Sequence, residues 1–546
     1  MLSRVWFAVT TGALLSAGCG GKEDFPVQVG EGEGEDDPCD EQRASNRRAG
    51  IMPGMCPGTG TACVAPQAPL GCNVRPPSSP CTTPPGGATV LEVCPGCMAP
   101  KYPTISAAVA AIPAVPPTEY WVVVYAGTYT ENVTVSKVGT AARPIKIAAR
   151  CVGGSREGVT VADAANAPVL KTTAAGTYVT FDGFVVEPSP SASSEGAVTL
   201  LGNNGTAKYI AVTGADAQAG FYVKGANCHF EEIDANDCQY GLQASVGNGM
   251  DLLRGAFCGS LANGIRLESG TGPKITATLV QDSTDSGIFL DLETDVTMNR
   301  VISRGHTLSI GAGMELWDVT NLDVWHSQFV ANTRGVFVDL GAQDLEFENV
   351  LFARNERGVQ VASSYTANKQ LRVRFSTFGD GLLGINVLAP IDLRLHRNIF
   401  HAGSVPGGSG VNFDVGGTGA TVGEKLENLF SGYTTATNKC VDAGGGQCTG
   451  VVWSSAEAQE LGDGYYLEQA LSAAVDAASV NANTITLGDG TMLSDYTTAL
   501  DLVLDGNAAD LGFHHQPCNE TLADEGCGDG SCAGTETSGT CPEDCS

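Results

Sequence analysis

Positive charge is scarce in this chain. Thirty lysines and arginines face 60 aspartates and glutamates, giving a formal net charge of −30 over 546 residues. A surface of that sign repels phosphate backbones, which excludes nucleic acid as a partner and favours neutral glycans, cation-bridged glycans or divalent cations. Long apolar runs are lacking too. Past the N-terminal segment no stretch approaches the ~18 apolar residues of a spanning helix, so the remainder is expected outside the membrane. Charged residues make up only 16% of the chain, whereas glycine is abundant at 70 residues. With short, scattered Leu/Ile/Val/Phe runs, that composition suits one elongated repeat domain.

The opening MLSRVWFAVTTGALLSAGCGG carries Arg4, an apolar run and small residues leading into Cys19. Residues 1–19 therefore read as a targeting segment, kept out of the fold. Leu15-Ser16-Ala17-Gly18-Cys19 resembles a bacterial lipobox, with Ser16 where an aliphatic residue is commoner. The resemblance implies lipidation at Cys19, export, and anchoring in an outer membrane or cell surface; the competing reading is a secretory signal cleaved near Gly18. Nineteen cysteines less Cys19 leave an even number, most of them at 39–97 and 518–545, as expected of disulfides in an oxidising compartment. The same logic makes Cys94 and Cys97 of CPGC a structural pair rather than a zinc or redox site.

Residues 20–93, with EGEGEDDPCDE and PPSSPCTTPPGG, read as an acidic Pro/Gly/Cys-rich stalk that cannot bury a core. Residues 517–546 form a Cys-rich module that resembles small repeats of the form C-G-D-G-x-C…C-P-x-D-C. Asp529, Glu536 and Asp544 there suit Ca²⁺, which takes oxygen ligands, although disulfides alone explain the same residues.

Between these ends, TISAAVAAI (104–112) has helical spacing, and WVVVYAGTYTENVTV (121–135) reads as strand, turn and strand. Val122, Val124, Gly127, Tyr129, Glu131 and Asn132 resemble the entry of pectate-lyase-like right-handed parallel β-helices, in which a capping helix precedes such a pattern. From GAVTL at 196, units headed GFYVK (220), GLQAS (241), GIRLE (264), GIFLD (287), GMELW (313), GVFVD (335), GVQVA (358), GINVL (384) and GVNFD (410) recur. Each contains two further short apolar runs. Three strands per coil at this spacing predicts an all-β, right-handed parallel β-helix over 94–466, its rungs ~4.8 Å apart. Asn299, Asn349, Asn398 and Asn428, with Ser327 and Ser376 between, are expected to share one register as a side-chain ladder. Residues 467–516, including His514 and His515, are expected to close the last coil.

In a strand written G-φ-x-φ-x the φ residues enter the coil and the x residues face out. One outward column then reads Gln243, Arg266, Phe289, Glu315, Phe337, Gln360, Asn386, Asn412, and a second reads Glu268, Asp291, Trp317, Asp339. The resemblance implies that this sheet and the loops before it form a cleft, with Arg304 and His306 entering from SRGHTLSIGA. A glycosidase would draw on carboxylate pairs: Glu268/Asp291 on adjacent rungs, about 5 Å apart, or Asp291/Asp339 two rungs apart, about 9–10 Å. A lyase would hold Ca²⁺ on Asp291 and Glu268, with Arg304 or His306 as base or neutraliser. Polygalacturonase and pectate-lyase motif sets are missing. The expectation is a surface protein binding polysaccharide through Arg266, Phe289, Trp317 and Phe337. The alternative is a polysaccharide lyase or glycoside hydrolase using Glu268, Asp291, Glu315, Asp339, Arg304 and His306.

Overall fold

The computed structural model describes residues 81–97, 101–189, 195–214, 218–307, 311–363, 369–401, 409–413, 421–431, 435–437, 451–453, 474–496, 498, 505 and 508–514. Cys19, Asp529, Glu536 and Asp544 lie outside them. The described chain is a right-handed parallel β-helix: apart from one short antiparallel hairpin, every named strand pairs in parallel with the strands one coil before and after. The G-φ-x-φ strands stack into one 13-stranded sheet, from Val133–Val135 to Thr435–Thr437. The remaining strands form a 23-stranded sheet with two limbs. Ordered pairing begins at Thr89–Val93, ahead of residue 94, and Cys81–Cys151 pins the chain before it to the first coils. Cys94–Cys97 is a disulfide, whereas Cys228 is a buried free thiol whose pKa burial pushes up to about 11.

The helix Ile105–Ala111 (α1) packs Ile105, Ala108 and Val109 over the first coil. Its N-terminal N–H groups, which have no partner within a helix, are met by Thr104 and by Glu131. The two Glu131 oxygens accept from Ile105 N–H (2.7 Å) and Ser106 N–H (2.8 Å). Tyr129 donates its hydroxyl hydrogen to the Tyr125 carbonyl (2.9 Å). The Gly-Thr-Tyr-Thr-Glu string is thus a structural brace.

The two limbs meet at a corner one residue wide. Tyr209, Glu232, Arg254, Ala277, Arg300, His326, Asn349, Phe375, Arg397 and Glu427 each adopt φ between 48° and 57° there. Left-handed backbone costs a non-glycine residue about 1–2 kcal/mol. The corner amides offset that by bonding to the next coil, as in Asn349 N–H to Arg374 O (3.0 Å) and Phe375 N–H to His396 O (3.0 Å).

The corner also divides the asparagines expected in one ladder. Asn299 stands before it, Asn349 occupies it, and Asn398 and Asn428 follow it. The ladder that forms runs Val350, Ser376, Asn398, Asn428, each backbone N–H donating to the next side-chain oxygen at 3.0–3.1 Å. A second ladder, where the third strand turns toward the G-φ-x-φ sheet, joins Ser283, His306, Asn332 and Asn355 at 2.9–3.1 Å.

Inside the limb after the corner, Phe329, Phe352, Phe378, Phe400 and Phe430 form one stack, the last four with centroids 4.5–4.6 Å apart and planes within 9°. This stack accounts for the later repeat glycines, Gly313, Gly335, Gly358 and Gly384. A Cβ on Gly358 would lie 2.5 Å from Phe378 Cδ1 and 2.5 Å from Gly384 O, and Gly384 faces Phe400 in the same way.

The described part of the terminal segment runs as a strap along the outside of the limb after the corner, where Ile399 and Leu429 face outward and, with Phe375 of that corner, need cover. Ala474, Leu487, Leu493 and Leu511 supply it. Ser479 N–H donates to Glu427 (2.9 Å), Gly512 N–H to Arg397 O (2.9 Å) and Phe513 N–H to Thr377 (2.9 Å). His514 exchanges two bonds with Asn349, and the Tyr496 ring stacks on His326 at 4.5 Å.

Candidate functional site

The register places both outward columns of the 13-stranded sheet. Gln243, Arg266, Phe289, Glu315, Phe337, Gln360, Asn386 and Asn412 are successive partners, as are Glu268, Asp291, Trp317 and Asp339. The side chains are less available than their columns suggest, because they hold one another. Phe289 is 9% exposed. The Arg266 guanidinium lies 5.1 Å from the Phe289 ring centre, and Trp317 meets the ring edge-on at 5.4 Å, so its faces are not an open platform. Trp317 and Phe337 remain half-buried at the surface.

The carboxylates are engaged in the same manner. Glu268 Oε1 accepts from Arg266 Nε (2.8 Å) and Nη2 (2.6 Å), so this oxygen is held by the guanidinium of its own strand. Glu315 accepts from Ser286 Oγ (2.7 Å) and Trp317 Nε1 (2.9 Å). Burial, then the Asp285 charge, raises the Glu315 pKa against those two bonds. Asp291 is raised as well, first by burial and then by Glu268 and Asp318. Asp339 accepts from the following backbone N–H of Leu340 (2.7 Å).

The two loop residues take other roles. His306 is fully buried: its Nδ1 accepts from Ser283 N–H (3.1 Å) and its Nε2 lies 3.1 Å from Ser303 Oγ. Burial lowers its pKa to about 4, and the ring serves as a rung of the second ladder. Arg304 ends a strand of the other sheet and donates from Nε to Gln281 Oε1 (2.8 Å).

Residues missed from the sequence complete the face. Ser286 stands just before its repeat glycine and holds Glu315. Arg334 and Arg357 are rung partners that converge on Gln360 Oε1, from Nε (2.7 Å) and Nη1 (3.1 Å) respectively. Arg334 also lies 4.7 Å over the Phe337 ring. The doubled Arg-Gly-Val in TRGVFVD and ERGVQVA was the available signal for this pair. Glu293, one residue past a left-handed turn at Leu292, points inward and is fully buried. It accepts from Gly270 N–H (2.8 Å), and burial, against that bond, raises its pKa to about 7. Among the described residues, the carboxylates whose oxygens approach within 4.8 Å of one another as a group of three are Asp476, Asp505 and Asp510, on the strap.

No family model and no curated protein matches the chain. Solved structures similar to it include the mannuronan C-5 epimerase AlgE6 A-module of Azotobacter vinelandii, 13% identical, covering 64% of this chain and 94% of its own with a TM-score of 0.42. Another is the catalytic unit of a GH87 α-1,3-glucanase from Streptomyces thermodiastaticus, at 11% identity, 66% and 71% coverage and a TM-score of 0.44. A third, the periplasmic alginate epimerase AlgG, is 10% identical over 63% of this chain and 78% of its own, with a TM-score of 0.34. No residue role carries over from them at these identities.

Proposed function

We propose that the outer face of the 13-stranded sheet binds a polysaccharide, laid along Trp317, Glu315, Phe337, Gln360, Asn386 and Asn412. The observation that carries this reading is the unbroken register from Glu315 to Asn412, with Trp317 in the adjoining column. Rungs of a parallel sheet repeat every ~4.8 Å, close to the length of one sugar residue, so successive rungs meet successive sugars. Half-buried rings offer stacking surfaces with polar edges nearby, and side chains already fixed by neighbours lose little entropy on binding. Binding is favoured over turnover because Glu268, Glu315, Asp339 and His306 are each held by internal partners.

One observation supports the enzymatic reading. The Glu315 carboxyl is raised by burial and lies diagonally across one rung from Asp291, the protonation state a general acid needs. Incubating the protein with pectin, alginate, chondroitin and dextran separates the readings. The expected result is retention on at least one polysaccharide, without new reducing ends or unsaturated product. Trp317→Ala is expected to weaken binding about three- to tenfold, the scale of one aromatic contact. Product formation abolished by Glu315→Gln would overturn the binding reading in favour of the enzyme.

Export and lipid anchoring through Cys19 would present this face to glycans outside the cell. The disulfides Cys81–Cys151 and Cys94–Cys97 support an oxidising compartment. Fatty-acid labelling is expected on the full chain and absent from Cys19→Ala; equal labelling of both would remove the anchor from this account.

A further inference from the structure

We propose that the outside of the limb after the corner docks the chain's own residues 515–518, which continue the strap past His514 and end in a disulfide between Cys518 and Cys258.

One column on that face reads Ala211, Asp234, Ala256, Leu279, Ile302, Gln328, Leu351, Thr377, Ile399, Leu429. It points outward, since the flanking Ile233, Phe257 and Val280 fill the coil. The strap covers its later half in order. Ala474 and Leu511 close over Ile399 and Leu429, and Phe513 packs on Leu351. Gly512, Phe513 and His514 bond in turn to Arg397, Thr377 and Asn349, so the chain is heading toward earlier coils.

The earlier half is covered too. Asp234 is 1% exposed, Ala256 0% and Leu279 5%, with Ile302 and Gln328 half-buried. Ala256 and Leu279 belong neither to the apolar cluster of the coil interior nor to those of the strap. An outward sheet face loses its water under a further layer of chain, and the strap already supplies that layer two coils away.

Cys258, in the adjoining column, shows where the layer is fastened, because it is disulfide-bonded. Cys258, Gln281, Arg304 and Val330 are successive partners, which puts Cys258 three rungs, ~14 Å, from Val330. Phe513 packs on Val330, and Cys518 follows it by five residues, a reach of up to ~17 Å. Cys440 and Cys448 are three residues, at most ~11 Å, from Thr437 and Val451. The coil of Ser431, which those strands follow, is seven rungs or ~34 Å from Cys258. They cannot reach it. Cys72, nine residues before the bonded Cys81, has the length but would enter from the first coils, whereas the cover is continuous with the strap. Forming the bond joins two thiols and releases two protons and two electrons, which a disulfide oxidant accepts as it becomes a dithiol. Cys258 also precedes the loop into Ile265–Glu268, so the bond would root residues 519–546 at the rim of the 13-stranded sheet.

Peptide mapping tests the pairing on the wild-type chain. Unfolded in N-ethylmaleimide and cut after Lys, Arg and Glu without reduction, it yields residues 255–266 with Cys258 and 469–520 with Cys518, each with one cysteine. The expected result is these two peptides joined, coming apart on reduction. Cys258 joined to any other cysteine, Cys72 included, or found alkylated, would overturn the proposal. A Cys258→Ser, Cys518→Ser double variant, which leaves neither thiol to mispair, should be cut by chymotrypsin after Phe513 roughly threefold faster or more. An unchanged rate would overturn the bond's part in holding the strap.

Discussion

Phe378→Ala is expected to cost about 3–5 kcal/mol, the usual range for removing a buried phenylalanine. Phe378 is 1% exposed and stacks on Phe352 and on Phe400, each at 4.6 Å, while its edge lies against the bare α-carbon of Gly358. Alanine would open a gap that both neighbouring rings line, and rings fixed by their own coils cannot collapse into it. Against a total stability of about 5–15 kcal/mol, such a loss removes a fifth or more. Phe378→Leu restores most of the volume without the stacking and should cost less than half as much. Gly358→Ala probes the same contact from the other side. Its added methyl would press on a backbone carbonyl as well as on the ring, so it too should destabilise, by about 1–3 kcal/mol or more. Denaturant midpoints measure all three. A Phe378→Ala protein within about 1 kcal/mol of wild type would show that the stack is incidental to stability.

The second large effect is the contribution of two buried carboxyls to the dependence of stability on pH. Asp234 is 1% exposed and accepts from Asn236 Nδ2 (2.6 Å); burial, partly opposed by that bond, raises its pKa to about 7. Glu293 is raised to about the same value. The unfolded chain holds these protons only below the ordinary values of 3.8 and 4.5. Between there and pH 7 the folded state binds more protons, so the stability contributed at acid pH is lost as the pH rises through that window. The ceiling is on the order of 4 kcal/mol for Asp234 and 3 kcal/mol for Glu293.

His306 acts with the opposite sign, because its lowered pKa removes stability as the pH falls from 6.5 to about 4. The informative quantity is therefore the difference between proteins. Asp234→Asn and Glu293→Gln are expected to gain stability at pH 8 and to show little or no gain at pH 4.5. Midpoints at the two pH values that shift equally in the variants would sink this account.

The outward columns were legible because alternation and the repeat glycine together set which residues face out. Glu315 beside Phe289 and Trp317 beside Asp291 needed nothing more. Availability was not legible. That Phe289 is wedged between Arg266 and Trp317, or that Glu268 is spent on Arg266, depends on rotamers two residues or one rung away. The asparagine ladder was misplaced for a different reason. A one-residue left-handed corner leaves no mark in hydrophobic spacing, so Asn349 at the corner and Asn398 after it look equivalent in sequence. His306 was read as a cleft residue because a loop histidine suggests chemistry, yet its ring takes a ladder position that Asn332 and Asn355 fill in the following coils. The path of the strap could not be read at all. Ile399 and Leu429 face outward in a limb whose cover lies far along the chain.

That strap changes how the molecule should come apart. A solenoid whose coils touch only their neighbours behaves as a one-dimensional array, able to fray from an end one repeat at a time. Here a single segment is fastened at His326, Asn349, Thr377, Arg397 and Glu427, so coils without direct contact share a tether. Peeling the outermost of them must first break bonds that reach several repeats inward. The C-terminal half should consequently melt as one cooperative block, with hydrogen-exchange protection nearly level across those coils instead of graded toward the end.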